Sequence, residues 1–176
     1  MRIAITPLIA VLIWIDKPPY GYQLALALYT IASVTDYIDG YMARLLKVES
    51  PLGEMLDPIA DKLLVAAVLL AIANVTTSGW LFLVPALIIL IRELMISGLR
   101  EFLAKQNLSA PVTRLAKWKT TAQILALGFL MGAPGFPGFP FAHEIGITLL
   151  WLAAMLTLQT GSGYLISAIK HVTNSG

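Results

Sequence analysis

Long apolar runs alternate with short polar breaks along the whole chain. Apolar stretches over residues 3–15, 22–46, 55–73, 80–104, 117–131 and 143–169 predict six helices. The breaks carry the residues that end helices. They are Asp16, Lys17, Pro18 and Pro19, then Ser50 and Pro51, then Thr76, Thr77, Ser78 and Gly79. The last is the Pro- and Gly-rich stretch 132–140. No internal repeat or low-complexity segment interrupts this order, so residues 1–176 read as a single domain.

Composition turns the pattern into a class. Of 176 residues, 58% are hydrophobic and only 12% charged, and the mean hydropathy is +0.80. A soluble domain of this size has too little interior to hide that much apolar surface. The expectation is an all-α polytopic membrane protein with a six-helix transmembrane bundle. There is no cysteine, which removes disulfides and thiolate metal sites. A net charge of +2 gives no footprint for a nucleic-acid partner. The first apolar run lacks a small-residue cleavage site, so it reads as a helix rather than a removable signal.

Charge distribution adds orientation. Arg2, Arg44, Lys47, Lys62, Arg92, Arg100, Lys105, Arg114, Lys117, Lys119 and Lys170 fall towards one side of the six-helix parse. Only Lys17 falls on the other. The positive-inside bias then puts both termini on the cytoplasmic side. Trp14, Trp80 and Trp151 read as interfacial anchors. His143 and His171 read as surface residues. Gly128 and Gly132 read as a close-packing pair.

Four aspartates stand out, because carboxylates are costly at the ends of membrane helices. Asp36, Asp39, Gly40, Ala43 and Arg44 share one helix face. Gly53, Asp57 and Asp61 share a face of the next helix. Folded as a hairpin, the two acidic faces meet. Crowded like charges need cations between them. An all-carboxylate donor set suits hard divalent ions, Mg2+ first and Mn2+ as a substitute. Pro58 is tolerated if it falls in the first turn of its helix.

The run D-x2-D-G-x2-A-R-x8-G-x3-D-x3-D resembles the signature of the CDP-alcohol phosphotransferase family, with all eight fixed positions present between Asp36 and Asp61. The resemblance implies a fold and a reaction. A CDP-linked donor is attacked at the phosphate next to its alcohol, and CMP leaves. It implies Asp36, Asp39, Asp57 and Asp61 as ligands of two metal ions, with Asp61 also the general base on the acceptor hydroxyl. Gly40, Ala43 and Gly53 would leave room for the nucleotide, and Arg44 would pair with the diphosphate. Members of the family carry an amphipathic lead-in with an Asn and a Thr ahead of an Arg. Arg2 stands at that Arg position and the lead-in is missing, as expected of a truncated chain or a misplaced start. Relatives pair as homodimers, and the same is expected here.

Two later strings bear on the acceptor. Arg92-Glu93-Leu-Met-Ile-Ser-Gly98-Leu-Arg100-Glu101 interrupts an apolar helix, so Arg92 and Glu93 are expected to face the bundle interior. Arg114, Lys117, Lys119, Thr120, Thr121 and Gln123 form the second. The positive charge of Arg92, Arg100, Arg114, Lys117 and Lys119 suits an acceptor carrying a phosphate. Arg92 could alternatively pair with Glu93 of a neighbouring helix or steady the aspartates. Both strings resemble those of bacterial phosphatidylglycerophosphate synthases, a branch of the same family, with Ala116 replacing the usual Gly. The branch implies CDP-diacylglycerol and sn-glycerol 3-phosphate as substrates, in the bilayer of the bacterial inner membrane. A cardiolipin synthase of the same superfamily is the alternative within the enzyme class. A divalent-cation transporter is the alternative outside it, disfavoured because the acids and bases gather towards one leaflet and no half-repeat exists.

Overall fold

A computed structural model describes residues 2–15, 19–46, 51–105 and 114–174. Within those segments, the side chains of residues 36, 37, 40, 41, 43, 44, 46, 51–55, 57, 104, 105, 114, 116 and 162–174 lie outside the description. The described residues form six helices and no strand. They are α1 (Arg2–Ile15), α2 (Tyr20–Leu46), α3 (Pro51–Val75), α4 (Trp80–Lys105), α5 (Arg114–Gly135) and α6 (Ala142–Asn174). All six expected helices are present, each longer than its apolar core.

The extensions have local causes. α3 starts at Pro51, where a missing N–H costs nothing because the first-turn donors have no partner in the helix. Pro58 therefore lies inside α3 rather than in its first turn, and this corrects the sequence expectation. α5 runs through Pro134 to Gly135, so the first four residues of the expected 132–140 connector are helical. The turn before α4 uses Gly79 at φ 52°, a left-handed conformation that a side chain would disfavour.

Among the described residues, three helical segments are long and apolar enough to cross a membrane: Pro58–Val75, Trp80–Leu103 and Ala142–Gly161. α1 is apolar but shorter. The burial pattern fits a lipid surround. Each helix buries one stripe at i, i+3, i+4 and i+7, such as Phe82, Ala86, Ile89 and Ile96 on α4. The opposite stripe is also apolar, with Leu83, Leu87, Ile91 and Leu94 exposed. In water such a face would be a liability. The chain is an all-α membrane protein.

The chain divides into two compact units. The first comprises Met1–Gly79 and Leu127–Gly146. Its core is built from Ile9 and Ile13 of α1, Ala25 and Tyr29 of α2, Leu64, Val68 and Ile72 of α3, and Leu127 and Met131 of α5. α1 packs on both α2 and α3. Gln23 Nε2 donates to the Gly135 carbonyl at 2.7 Å, tying the start of α2 to the end of α5. Gly128 and Gly132 present bare backbone to Leu26 of α2, the close packing expected of that pair. His143 is not a lone surface residue: its Nε2 lies 2.6 Å from Ser78 Oγ.

The second unit comprises Trp80–Ala126 and Ile147–Gly176. Its core holds Phe82, Ile89, Ala126, Leu150, Ala153 and Ala154. Trp151 Nε1 donates to the Leu81 carbonyl at 2.9 Å, so this indole fastens α6 to the start of α4 besides any anchoring role.

Candidate active site

The aspartates belong to the first unit. Asp39 is on α2, and its side chain is exposed. Asp61 is on α3, with 59% of its side chain exposed. It is the fourth residue of the apolar span that begins at Pro58, and so stands at the span's edge. At about 1.5 Å per residue, Asp61 is roughly 20 Å along α3 from Asn74, and Asp39 roughly 24 Å along α2 from Gln23. The acidic end of this unit is thus opposite its Gln23–Gly135 and Ser78–His143 end.

Asp61 has a cationic partner. The Arg2 guanidinium donates through Nη1 to Asp61 Oδ1. The arginine is mostly covered, at 11% side-chain exposure, while the carboxylate is open. The first turn of α1 is therefore held against the early part of α3. From sequence, no cation was assigned to Asp61, and Arg2 was missed as its counter-charge. Its position 59 residues away left no local signal.

Among the described residues, no group of three or more acidic, His or Cys side chains could hold a metal ion. Asp36 and Asp57, and the expected nucleotide residues Gly40, Ala43, Arg44 and Gly53, lie outside the described side chains. What is visible fits a hard cation in donor type. Asp39 and Asp61 offer carboxylate oxygens at the surface, and Asp61 already draws a positive group.

The expected acceptor residues belong to the second unit and separate into two kinds. Arg100 and Lys117 are exposed. Arg92 and Lys119 are each only 7% exposed. The structure brings those two together through Glu93. Lys119 Nζ donates to Glu93 Oε1, and Arg92 Nη1 reaches the same oxygen at 3.2 Å. Arg92 Nη2 donates to Thr160 Oγ1 of α6 at 3.0 Å. Arg92 lies about midway along the Trp80–Leu103 span, where an ion without partners would be costly. One carboxylate shared by two cations leaves the cluster net positive. The Arg114 side chain lies outside the described residues.

Among the described residues, three buried atoms near these positions in the chain have no hydrogen-bond partner: Arg92 Nε, Gln123 Oε1 and Thr157 Oγ1. Gln123 is one turn from Lys119 on α5, and Thr157 one turn from Thr160 on α6. Gln123 closed the second string, which begins at Arg114. Thr157 and Thr160 carried no sequence signal, because a hydroxyl in an apolar helix is common and most bond their own backbone.

Comparison with known proteins bears on both sites. The family model described as CDP-alcohol phosphatidyltransferase matches residues 1–159. A CDP-diacylglycerol--glycerol-3-phosphate 3-phosphatidyltransferase of Rickettsia bellii is 40% identical over 170 residues, covering 97% of this chain and 92% of the relative. A protein of the same name from Cereibacter sphaeroides is 36% identical, covering 98% and 93%. A cardiolipin synthase (CMP-forming) of Oryza sativa is 35% identical over 170 residues, covering 89% of this chain but only 51% of the relative. The chain carries the aspartate run inside the matched region, and it belongs to the CDP-alcohol phosphatidyltransferase family.

Proposed function

We propose that this chain is a CDP-diacylglycerol–glycerol-3-phosphate 3-phosphatidyltransferase. It transfers the phosphatidyl group of CDP-diacylglycerol to sn-glycerol 3-phosphate, releasing CMP and forming phosphatidylglycerol phosphate. The observation that carries this reading is near-full-length similarity to relatives of that name, combined with the complete aspartate run.

The residues divide the work. Arg44 pairs with the donor diphosphate through two parallel hydrogen bonds. Gly40, Ala43 and Gly53 leave space for the cytidine. Asp61 takes the proton from the acceptor hydroxyl. The freed oxygen bonds to the phosphorus that carries diacylglycerol, and the bond from that phosphorus to the CMP oxygen breaks. Asp36, Asp39, Asp57 and Asp61 would hold two Mg2+ ions, with Mn2+ a substitute. When bound, the ions neutralise the diphosphate and polarise the reacting centre. Arg92, Arg100, Arg114, Lys117 and Lys119 bind the acceptor phosphate. The exposure of Arg100 and Lys117 supports direct contact for these two. Arg92 and Lys119 contribute from beneath, as a buried pair with excess positive charge.

The same reading sets six spans, an inner-membrane location with both termini cytoplasmic, and a homodimer. The basic side of the sequence supports the orientation. The cardiolipin synthase reading is second. The Oryza sativa relative of that name supports it, matched over about half of that relative's length. Purified protein with CDP-diacylglycerol and Mg2+ should release CMP with glycerol 3-phosphate, and not with phosphatidylglycerol, inositol phosphate or serine. Chelator should abolish the release. Release driven by phosphatidylglycerol instead would move the chain to the alternative.

A further inference from the structure

We propose that Gly161 is a positioning residue: its bare backbone is the bed on which the Arg92 side chain lies, and Thr160 beside it fixes the guanidinium. The inference rests on the reading that Arg92 serves the acceptor phosphate. A Cβ built at Gly161 would fall 3.1 Å from Arg92 Cγ, 3.2 Å from Nε and 3.8 Å from Cδ. Cγ and Cδ are stem atoms, and Nε joins the stem to the guanidinium carbon. A crowded tip could swing aside, but Cγ moves only if the torsions nearest the α4 backbone change.

The far end of the side chain has little freedom either. Nη2 is committed to Thr160 Oγ1 at 3.0 Å and Nη1 to Glu93 Oε1 at 3.2 Å. Thr160 suits its task. Its own hydroxyl hydrogen has a carbonyl partner at Leu156, 2.8 Å away, which leaves an oxygen lone pair for the arginine. Nε, lying over Gly161, has no partner among the described residues. The guanidinium is therefore located by one glycine, one threonine and one glutamate, and any side chain at 161 would push it out of that register.

The test is a double-mutant cycle on the full-length protein. Gly161→Ala should raise KM for glycerol 3-phosphate roughly five- to tenfold, as expected when a binding group shifts by a few tenths of an ångström. KM for CDP-diacylglycerol should stay within about twofold. In an Arg92→Ala background the same Gly161→Ala change should add nothing. Thr160→Val, which keeps the volume and deletes the hydroxyl, should reproduce the acceptor defect and gives a second route if Arg92→Ala does not fold. Thermal midpoints of all variants in detergent separate geometry from function. If Arg92→Ala raises acceptor KM but Gly161→Ala adds its full effect on top, the Gly161 role is overturned while the acceptor reading stands. If Gly161 and Arg92 couple only in thermal midpoint, and Arg92→Ala leaves acceptor KM unchanged, the acceptor reading of Arg92 falls and this proposal with it.

Discussion

Lys119 of α5 and Arg92 of α4 share a single carboxylate oxygen, that of Glu93. Breaking a buried ion pair from one side leaves an uncompensated charge, which typically costs about 3–5 kcal/mol. Glu93→Gln should therefore destabilise more than Lys119→Met, because it strands two cations rather than one anion with its second partner intact. The Glu93→Gln, Lys119→Met double variant should recover part of the loss. Thermal unfolding in detergent measures this. Simple additivity of the two changes would mean that the pair carries no coupling.

Lys119→Met has a functional consequence as well. The cluster loses its excess positive charge, so KM for glycerol 3-phosphate should rise about tenfold, while CDP-diacylglycerol binding is spared. Steady-state kinetics with each substrate varied in turn separates the two. An unchanged acceptor dependence would remove Lys119 from the acceptor site.

Arg2 places a positive charge on Asp61. A nearby like charge weakens cation binding at a carboxylate. Arg2→Gln should therefore lower the Mg2+ concentration needed for half-maximal activity, by about two- to fivefold given the open setting of Asp61. A higher Mg2+ requirement in that variant would mean that Arg2 aligns the carboxylate instead of competing for it.

These cases mark what the sequence could carry. The six helices were legible because apolar runs and breakers set them directly, and the aspartate run because its spacing is local. Gly128 and Gly132 were legible as packing surfaces for the same reason. Arg2 on Asp61, Thr160 on Arg92 and Ser78 against His143 were not, because each joins residues from 59 to 68 positions apart. Pro58 was misplaced because Pro51 starts α3 earlier than hydropathy alone suggests. Pro51, Gly53 and the charged Glu54 kept residues 51–54 out of the apolar run.

Close packing gives a stability prediction away from the site. A Cβ at Gly146 would lie 2.8 Å from Leu130 Cγ and 3.1 Å from the Leu130 backbone nitrogen. The side chain could move, but the backbone contact is also tight. Gly146→Ala should cost about 1–3 kcal/mol by overpacking. Leu130→Ala in the same chain should relieve part of that cost. Chemical denaturation of the variants tests it, and a neutral Gly146→Ala would mean that α5 and α6 yield easily at this point.

Asp61→Asn removes the proposed base while keeping shape. Turnover should fall by about 10²–10⁴, the usual worth of a positioned acid–base group. CDP-diacylglycerol binding should be partly retained, since the other aspartates and Arg44 remain. Equilibrium binding and single-turnover kinetics report the two separately. Near-normal turnover would assign the proton transfer elsewhere.

The most direct measurement follows the acceptor's own phosphorus. sn-Glycerol 3-phosphate labelled in its phosphate is incubated with CDP-diacylglycerol, Mg2+ and the purified protein. Label should pass into the lipid phase, one equivalent for each CMP released, and stop when the divalent ions are chelated. CMP release with the label left in water would contradict the account.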